Sequence, residues 1–289
     1  MKATVNAPIT PSRVTGDRTI VLVANHYANE AEVRTFVGHC ASLSMPAGWS
    51  LEILVCDNSD SWVGDAPHPC ATILRQGKNL GYYGGCAHGL AHWRAAHGCV
   101  PAWVGAVNTD LELDPHFFHT IIETIPSHYA VVAPAVQLPD GTHQNPFLHD
   151  RPSIARMAWM RLVFRTESTS WAWTLGHDVM RRIRPHSRKS GERIRKQIYA
   201  PHGSIVMFRR EFFTKGGKLE FGGFMYGEEL HVAEQARQLG LAVLYEPAAS
   251  VLHNAHSCVG KVPSKLNRKW RTDSSEFLWS AYFRPSMTR

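Results

Sequence analysis

Short apolar runs alternate with segments of helical spacing through the first half of the chain. The runs are four to seven residues long and lie at residues 19–25, 51–56, 71–74, 102–107 and 129–133. Between several of them, apolar side chains recur at every third or fourth position, at residues 29–43, 84–96 and 114–125. Apolar runs of this length are typical of strands buried on both faces, and strands that alternate with helices form parallel sheets with right-handed crossovers. The pattern therefore predicts an α/β fold with a mostly parallel central sheet flanked by helices.

The second half of the chain has a less regular pattern. It predicts two helices within residues 154–184, a strand at 203–208, a helix at 229–239 and short strands at 241–245 and 250–253. We therefore expect one catalytic domain at residues 18–260, with a basic helical insertion at residues 153–198. A flexible leader at residues 1–17 and a partly helical tail at residues 261–289 would flank this domain.

The composition limits the environments in which the chain can work. No segment contains the roughly 20 consecutive apolar residues that a transmembrane helix needs, and residues 1–17 lack the apolar run of a signal peptide. The six cysteines form no CxxC pair, which favours reduced, buried thiols over a disulfide framework or a zinc site. We therefore expect a cytoplasmic protein.

The positive charge of the chain is concentrated in one segment. Residues 181–196 contain eight basic residues and one acidic residue, which equals the whole net charge of +7. Such a segment can be a solvated face, a nucleic-acid site or a site for an anionic membrane surface. We favour the membrane over nucleic acid because no aromatic recognition motif accompanies the charge. The protein would then be peripheral at the inner face of the cell membrane.

Polar residues follow the predicted strands at the edge where parallel α/β sheets bind their ligands. Asp110 follows the fourth strand, where a carboxylate can hold Mg²⁺ or Mn²⁺ between the phosphates of a nucleotide sugar. Asp57 and Asn58 follow the second strand and can bind a base or a ribose. Asn and Asp are also common in turns because of their local hydrogen bonds, so each site taken alone is better explained as a capped turn.

Three further segments have residue types that suit such a site. The glycine-rich residues 79–85 precede a helix, whose N-terminal N–H groups can bind an anion. Glu228 and Glu229 open a later helix, whose dipole favours the ionised carboxylate that a general base needs. His253 ends an apolar run and can complete a metal site as a neutral imidazole. Each segment also has a simpler interpretation: a turn, a complement to the helix dipole, or one of 17 histidines.

Together and in this order, these segments resemble the motifs of family 2 glycosyltransferases, inverting enzymes of the GT-A fold that assemble bacterial surface polysaccharides. The resemblance covers residues 19–257. The matching positions are Asp57-Asn58 for a DN motif, Asn79, Gly81, Gly84 and Gly85 for NxGxxGG, Asn108 to Asp110 for the NxD metal motif, Glu228-Glu229 for the acidic pair, and Val251 and His253 near Ser257 for VxH. Many members have aspartate where this chain has His231, and several have proline where it has Thr109.

The resemblance implies an inverting transfer of a sugar from a UDP- or dTDP-sugar to a hydroxyl of a glycan or polyprenyl-linked acceptor. It implies Mn²⁺ or Mg²⁺ held by Asp110 and His253, and Glu229 or its neighbour Glu228 as the general base. It also implies donor contacts by the residues of the nucleotide-binding motifs, which are Asn25, Asn29, Asp57, Asn58, Asn79, Gly81, Gly84, Gly85 and Asn108. The histidine at position 231 leaves the usual acceptor contacts open.

Two other functions share parts of this pattern. A nucleotidyltransferase also combines an α/β fold with metal-bound diphosphate chemistry. However, residues 25–29 lack the glycine- and arginine-rich loop that such enzymes usually carry after the first strand. A catalytically inactive protein that binds nucleotide sugars or nucleic acid is the non-enzyme alternative. Asp110, Glu229 and His253 are all present, which favours an active enzyme.

Overall fold

The structure is a computed structural model that describes residues 16–166, 168–173, 175–176, 193–254 and 265–285. The strands are β1 (Thr19–His26), β2 (Ser50–Asp57), β3 (Ala71–Arg75), β4 (Trp103–Val107), β5 (Leu111–Leu113), β6 (Val131–Gln137), β7 (Lys196–Ile198), β8 (Ile205–Arg209) and β9 (Val243–His253). The helices are α1 (Glu30–Ser42), α2 (Tyr82–His97), α3 (Phe117–His119), α4 (Ile154–Arg165), α5 (Arg210–Thr214), α6 (Glu228–Gln238) and α7 (Lys265–Leu278).

These strands of the described residues form one sheet in the order β3-β2-β1-β4-β8-β6-β9-β5, with β7 paired to β9. The first four strands run parallel, as the alternation of strands and helices predicts. In the other half, β8 lies antiparallel between β4 and β6, while β6 and β9 are parallel. β5 pairs antiparallel with β9 and sets Leu111 opposite His253. The end of β9 therefore lies beside the residues that follow β4.

The sheet is buried on both faces. Ile20 and Leu22 of β1 pack in the cluster that contains α1 side chains, and Val21 and Val23 pack in the cluster that contains α2 side chains. Successive side chains of a strand point to opposite faces, so a strand covered on both faces needs an apolar residue at every position. Burial of each large aliphatic side chain contributes about 1.5–3 kcal/mol. This explains the continuous apolar run of β1.

Two predicted elements differ in extent from those of the structure. β9 is one strand where the sequence predicts two short ones, and its pairing with β6 skips from Glu246 to Ser250 around Pro247. Proline lacks the N–H that the ladder needs, and a bulge there keeps both parts of the strand paired. The predicted helix at residues 114–125 is reduced to α3 and a π-helical turn, Thr120–Thr124.

Helix α7 packs onto the body of the protein next to α4 and the loop before α6. The Thr272 hydroxyl donates to the carbonyl oxygen of Phe164 at 2.5 Å. The Ser274 hydroxyl donates to the carbonyl oxygen of Met225 at 2.7 Å. Residues of the predicted tail are therefore in contact with the segment that leads into the acidic pair.

Several predicted features lie outside the described residues. These are residues 1–15 of the leader, residues 177–192 with most of the basic segment, and residues 255–264 with Ser257. Within the part of the chain that the structure describes, no helix is both long enough and apolar enough to cross a membrane. Cys40, Cys56 and Cys86 are buried free thiols.

Candidate active site

A cleft of about 830 Å³ opens at the carboxyl ends of β1, β2 and β4. It collects residues that are far apart in the sequence but lie at one edge of the sheet. The sequence-predicted site residues in its wall are Asn25, Asn29, Asn58, Asn79, Gly81, Asn108, Asp110, Glu228, Glu229 and His253. Asp57, Gly84 and Gly85 are not among the lining residues.

Asp110 and His253 form a close pair in the cleft. Asp110 follows β4 and His253 is the last residue of β9, and the β5–β9 pairing brings them together. Nε2 of His253 lies 3.2 Å from Oδ2 of Asp110, and each residue is only 8% exposed. The backbone N–H of Asn254 also donates to the carbonyl oxygen of Asp110 at 2.9 Å, which fixes the two strand ends to each other.

The hydrogen bonds of this pair suit a bound cation. The side-chain oxygen of Gln144 lies 2.6 Å from Nδ1 of His253 and can accept the proton of that nitrogen, while Nε2 faces Asp110. Oδ1 of Asp110 is buried and has no hydrogen-bond partner among the described residues. A buried carboxylate oxygen without a partner is costly unless an unseen ion or water satisfies it. One carboxylate and one neutral imidazole are ligands that Mn²⁺ accepts.

The described residues contain no group of three or more histidine, cysteine or acidic side chains that could hold a metal by itself. A cation on Asp110 and His253 would therefore keep open positions for water or for ligand oxygens. A diphosphate supplies such oxygens, and Mg²⁺ sites commonly combine few carboxylates with substrate phosphates.

The acidic pair also lines the cleft, at the first turn of α6. Glu228 is 6% exposed. Burial, with a smaller contribution from the charge of Glu229, raises the pKa of Glu228 to about 8. Burial also raises the pKa of Glu229, although backbone N–H groups that include that of Gly203 oppose the shift. Two neighbouring carboxyl groups in a buried site do not ionise independently, so the pair holds a proton to higher pH than an exposed glutamate.

The amide side chains of the cleft hold its loops together. The Nδ2 group of Asn58 donates to Oδ1 of Asn25 at 3.0 Å and to the carbonyl oxygen of Gly81 at 3.1 Å. Its Oδ1 accepts from the N–H of Leu80 and from Gln76, at 3.1 and 3.0 Å. Asn58 therefore uses both its donors and its acceptor within the protein. It joins the ends of β1 and β2 to the loop before α2.

The carboxylate of Asp57 is also hydrogen-bonded within the protein. Its carboxylate accepts from Nδ1 of His26 at 2.8 Å, from the N–H and hydroxyl of Ser59, and from the N–H of Trp62. Although burial raises the pKa of Asp57, these hydrogen bonds outweigh it and lower the pKa to about 2. The side chain is 1% exposed. Asp57 therefore holds the turn after β2, and it is not among the residues that line the cleft.

The glycines of the NxGxxGG segment allow close packing. A Cβ atom on Gly85 would lie 1.8 Å from Oδ1 of Asn25, so any side chain there would displace the Asn25 amide. A Cβ atom on Gly81 would lie 2.2 Å from the carbonyl oxygen of Phe224, and the positive φ of 74° at Gly81 also favours glycine. Gly84 meets only Leu80, at 3.1 Å. Gly84 and Gly85 therefore act in packing, not as lining residues.

His231 has a structural role next to the acidic pair. Gln235 exchanges hydrogen bonds with the backbone N–H and carbonyl of Lys218, which fixes its amide so that the NH₂ group donates to Nε2 of His231 at 2.9 Å. Nδ1 of His231 then carries the proton and donates to the hydroxyl of Tyr282 at 2.7 Å. Burial lowers the pKa of His231 to about 4, so the ring is neutral. His231 ties α6 to the C-terminal segment and does not line the cleft.

Several lining residues were not predicted from the sequence. They are Tyr27, Glu32, Tyr82, Gln144, His202, Phe224, Leu266 and Trp270. Glu32 accepts hydrogen bonds from Asn29 at 2.7 Å and from Thr109, and so joins α1 to the NxD segment. Gln144 lies in the loop after β6 and has no motif around it. Trp270 belongs to α7, in the segment that the sequence predicts as a tail. Only the tertiary fold brings these side chains to the cleft.

Comparisons with known proteins find similarity to glycosyltransferases. No family model matches the chain. Two curated proteins, each described as N-acetylglucosaminyl-diphospho-decaprenol L-rhamnosyltransferase and each from a strain of Mycobacterium tuberculosis, are 24% identical over 235 residues, covering 78% of this chain and 73% of the relative. A crystal structure of GalNAc-T7 with UDP, GalNAc and Mn²⁺ superposes on 82% of this chain with a TM-score of 0.52 and 13% identity. This chain covers 43% of the GalNAc-T7 chain.

The fold, the motifs and the relatives agree on one class of enzyme. The structural match shows the fold, and the curated match covers most of both chains. The motifs that carry the resemblance occur in the expected order, and most of their residues meet in one cleft. The chain is a glycosyltransferase of the GT-A fold, and its motifs resemble those of family 2 glycosyltransferases.

Proposed function

We propose that this protein transfers a sugar from a nucleoside diphosphate donor to a hydroxyl of a lipid-linked glycan acceptor, with inversion at the anomeric carbon. One observation supports this most strongly. The Asp110–His253 pair, with its unsatisfied carboxylate oxygen, shares a cleft with a buried acidic pair. The first pair suits a diphosphate-bound cation, and the second suits a general base.

In this proposal, Asp110 and His253 would hold Mn²⁺ or Mg²⁺ against the diphosphate. A bound divalent cation would neutralise the negative charge that develops on the leaving nucleoside diphosphate. Gln144 keeps the proton on Nδ1 of His253 and so leaves Nε2 available as a ligand. The nucleoside would lie toward β1 and α1, where Tyr27 and the Asn29–Glu32 pair line the cleft.

Glu229 is the proposed general base. It accepts the proton of the acceptor hydroxyl while that oxygen forms a bond to the anomeric carbon and the bond to the diphosphate oxygen breaks. Glu228 holds a proton near neutral pH, since burial raises its pKa to about 8. Glu229 receives the Gly203 N–H, which favours its ionised form. One base without a covalent intermediate gives inversion, unlike the two-carboxylate chemistry of retaining glycosidases.

The acceptor class is inferred from the curated relatives. Their name describes a sugar on a diphospho-decaprenol, so we propose a polyprenyl diphosphate-linked sugar as the acceptor. Trp270 and Leu266 of α7 line the same cleft as the acidic pair and add apolar surface to its wall. Trp270 stacks on Phe224, with ring centroids 4.7 Å apart. Aromatic faces of this kind pack well against sugars and lipid chains.

The test of the proposed function is nucleoside diphosphate release across a panel of UDP- and dTDP-sugars, with Mn²⁺ and a short-chain polyprenyl diphosphate-linked sugar as acceptor. We expect release with one donor of the panel, dependent on both cation and acceptor. An α-linked donor should give a β-linked product, which NMR coupling constants report. Retention of configuration would contradict the assignment of Glu229 as a base.

The pH dependence of turnover follows from the raised pKa values of the acidic pair. A general base must be ionised, and activity is lost as the pH falls through its pKa. Since burial raises the pKa of the proposed base, Glu229, above the usual value of 4.5, kcat/KM should still be rising with pH in the range in which an exposed glutamate is already fully ionised. An exposed glutamate would give a flat profile in this range. Initial rates at saturating cation, from pH 6 upward, measure this difference.

Gln144 provides a test of the metal site that does not depend on turnover. A Gln144→Leu substitution removes the acceptor of the His253 Nδ1 proton, so the ring loses its orientation and tautomer. Changes to such outer partners typically reduce metal affinity about 10–100-fold. Mn²⁺ titration by electron paramagnetic resonance measures the affinity. Gln144→Glu keeps an acceptor and is the matched control. Equal Mn²⁺ affinity in the leucine variant and the wild type would show that Gln144 does not support the metal site.

A further inference from the structure

Helix α4 carries large apolar side chains on its solvent side. Trp159 is 52% exposed and Leu162 is 59% exposed, and Ile154 at the start of the helix is also exposed. On the inner side of the helix, Met157 and Val163 are buried. A surface helix of a soluble protein normally has charged and polar residues on its outer side. The outer apolar residues of α4 therefore need a partner other than the core.

Exposed apolar residues continue next to α4. Trp171 and Leu175 follow it in the chain, and Leu266 opens α7. Trp173 packs on Phe164 of α4 with ring centroids 5.3 Å apart, which holds residues 168–173 close to the helix. Six of the nine large exposed apolar side chains in the described residues therefore belong to α4, the segment after it and the start of α7.

The charges on α4 are all positive. The helix contains Arg156, Arg161 and Arg165 and no acidic residue. Arg161 pairs with Glu276 of α7 at 2.7 Å. Arg156 and Arg165 are exposed and have no acidic partner among the described residues. A helix with exposed tryptophan and leucine beside unpaired arginines suits the interface of an anionic bilayer, where the apolar rings lie below the head groups and the arginines contact phosphates.

The position of α4 connects this surface to the active site. Its inner side is fixed to α7 by the Thr272–Phe164 hydrogen bond and by the Arg161–Glu276 ion pair. Two residues of α7, Leu266 and Trp270, line the cleft. A flat surface that binds the outer side of α4 would therefore lie close to the part of the cleft that α7 lines. That is where a sugar attached to a membrane lipid would have to enter.

We infer that the outer face of α4, formed by Ile154, Trp159 and Leu162 with Arg156 and Arg165, binds the surface of an anionic lipid bilayer. Binding holds the α7 side of the cleft next to the bilayer, so a lipid-linked acceptor reaches the acidic pair without leaving its membrane. The role in acceptor delivery rests on the proposed function, whereas bilayer binding itself does not.

The experiment compares vesicle flotation of the full-length wild type with that of a Trp159→Ser, Leu162→Ser double variant. Vesicles contain equal parts of phosphatidylglycerol and phosphatidylethanolamine, or phosphatidylcholine alone. We expect the wild type to float with the anionic vesicles, less so at high salt because the arginine contribution is screened. The double variant should partition roughly tenfold less, because two interfacial side chains no longer insert. Val63→Ser, which changes an exposed apolar residue far along the chain from α4, is the matched control and should bind as the wild type does.

Activity assays distinguish a failure of the bilayer-binding inference from a failure of the proposed function. The double variant should keep wild-type rates with a water-soluble short-chain acceptor and lose activity with a long-chain acceptor embedded in vesicles. Wild-type protein that does not float, or a double variant that floats equally well, would overturn the inference. So would a lipid-free dimer of the wild type that the double variant abolishes, because α4 would then be a self-association surface. Vesicle binding by α4 without turnover on any acceptor would overturn the proposed function and leave the inference standing.

Discussion

A Glu229→Gln variant is expected to bind the donor normally and to lose about 10²- to 10⁴-fold in kcat. Glutamine has nearly the same shape as glutamate and can still accept the Gly203 N–H, so the first turn of α6 should remain in place. What it cannot do is take the proton of the acceptor hydroxyl. Rates of nucleoside diphosphate release and donor titration by calorimetry, on the same preparation, separate the loss of chemistry from any loss of binding.

Glu228→Gln is the matched control for this prediction. Because burial raises the pKa of Glu228 to about 8, this residue is neutral in the pH range where Glu229 is proposed to act as an ionised base. Replacing it with a neutral amide should therefore keep the pH dependence of the wild type, with a smaller loss of kcat at the optimum than in Glu229→Gln. The opposite result, in which Glu228→Gln loses more turnover than Glu229→Gln, would transfer the role of base to Glu228.

The fold class could be predicted because its signal is local and repeated. β1 and β2 are apolar throughout, and the helices after them have clear spacing, so the parallel half of the sheet follows from the pattern. The antiparallel half was harder to predict from the sequence. β5 and β7 have three residues each, and β9 is interrupted by Pro247, so these strands show no period and are defined by their partners.

The candidate site was predictable only as a set of residue types. Asp110, Glu229 and His253 were singled out because ordered motifs carried them, and the sheet edge brings them into one cleft. Asp57 and Asn58 show the limit of such an argument. Their side chains suit ligands and turns equally well, and the structure uses Asp57 and most of the hydrogen bonds of Asn58 to hold loops.

Other parts of the site leave no trace in the sequence. The role of Gln144 depends on its contact with His253, which is 109 positions away in the chain. Trp270 lines the cleft because α7 packs on the body of the protein. His231 stands where many of the family 2 enzymes that this chain resembles have an aspartate. Its hydrogen bonds to Gln235 and Tyr282 show that this position now secures the C-terminal segment. Such exchanges of role depend on partners that no local pattern reveals.

An Asp110→Asn variant is expected to lose cation-dependent donor binding. The amide keeps the size of the side chain but removes the charge that a divalent cation needs. Loss of an outer partner typically reduces metal affinity about 10–100-fold, so loss of the ligand charge itself should exceed roughly 100-fold. Mn²⁺ affinity in the presence of a nucleoside diphosphate, measured by electron paramagnetic resonance, gives the size of the effect.

The same variant should fold at least as stably as the wild type in the absence of metal. Oδ1 of Asp110 is buried without a hydrogen-bond partner among the described residues, and an unsatisfied buried carboxylate oxygen costs about 1–3 kcal/mol or more. Replacing the carboxylate with a neutral amide reduces that cost. Residues that are retained for function are commonly not optimal for stability, so their replacement can stabilise the fold. Thermal unfolding with a chelator present measures the difference. Glu112→Gln, a change of an exposed carboxylate on β5, is the matched control and should alter neither stability nor metal binding. If Asp110→Asn unfolds at a lower temperature and still binds Mn²⁺ as the wild type does, Asp110 is a structural residue and the cation site must lie elsewhere.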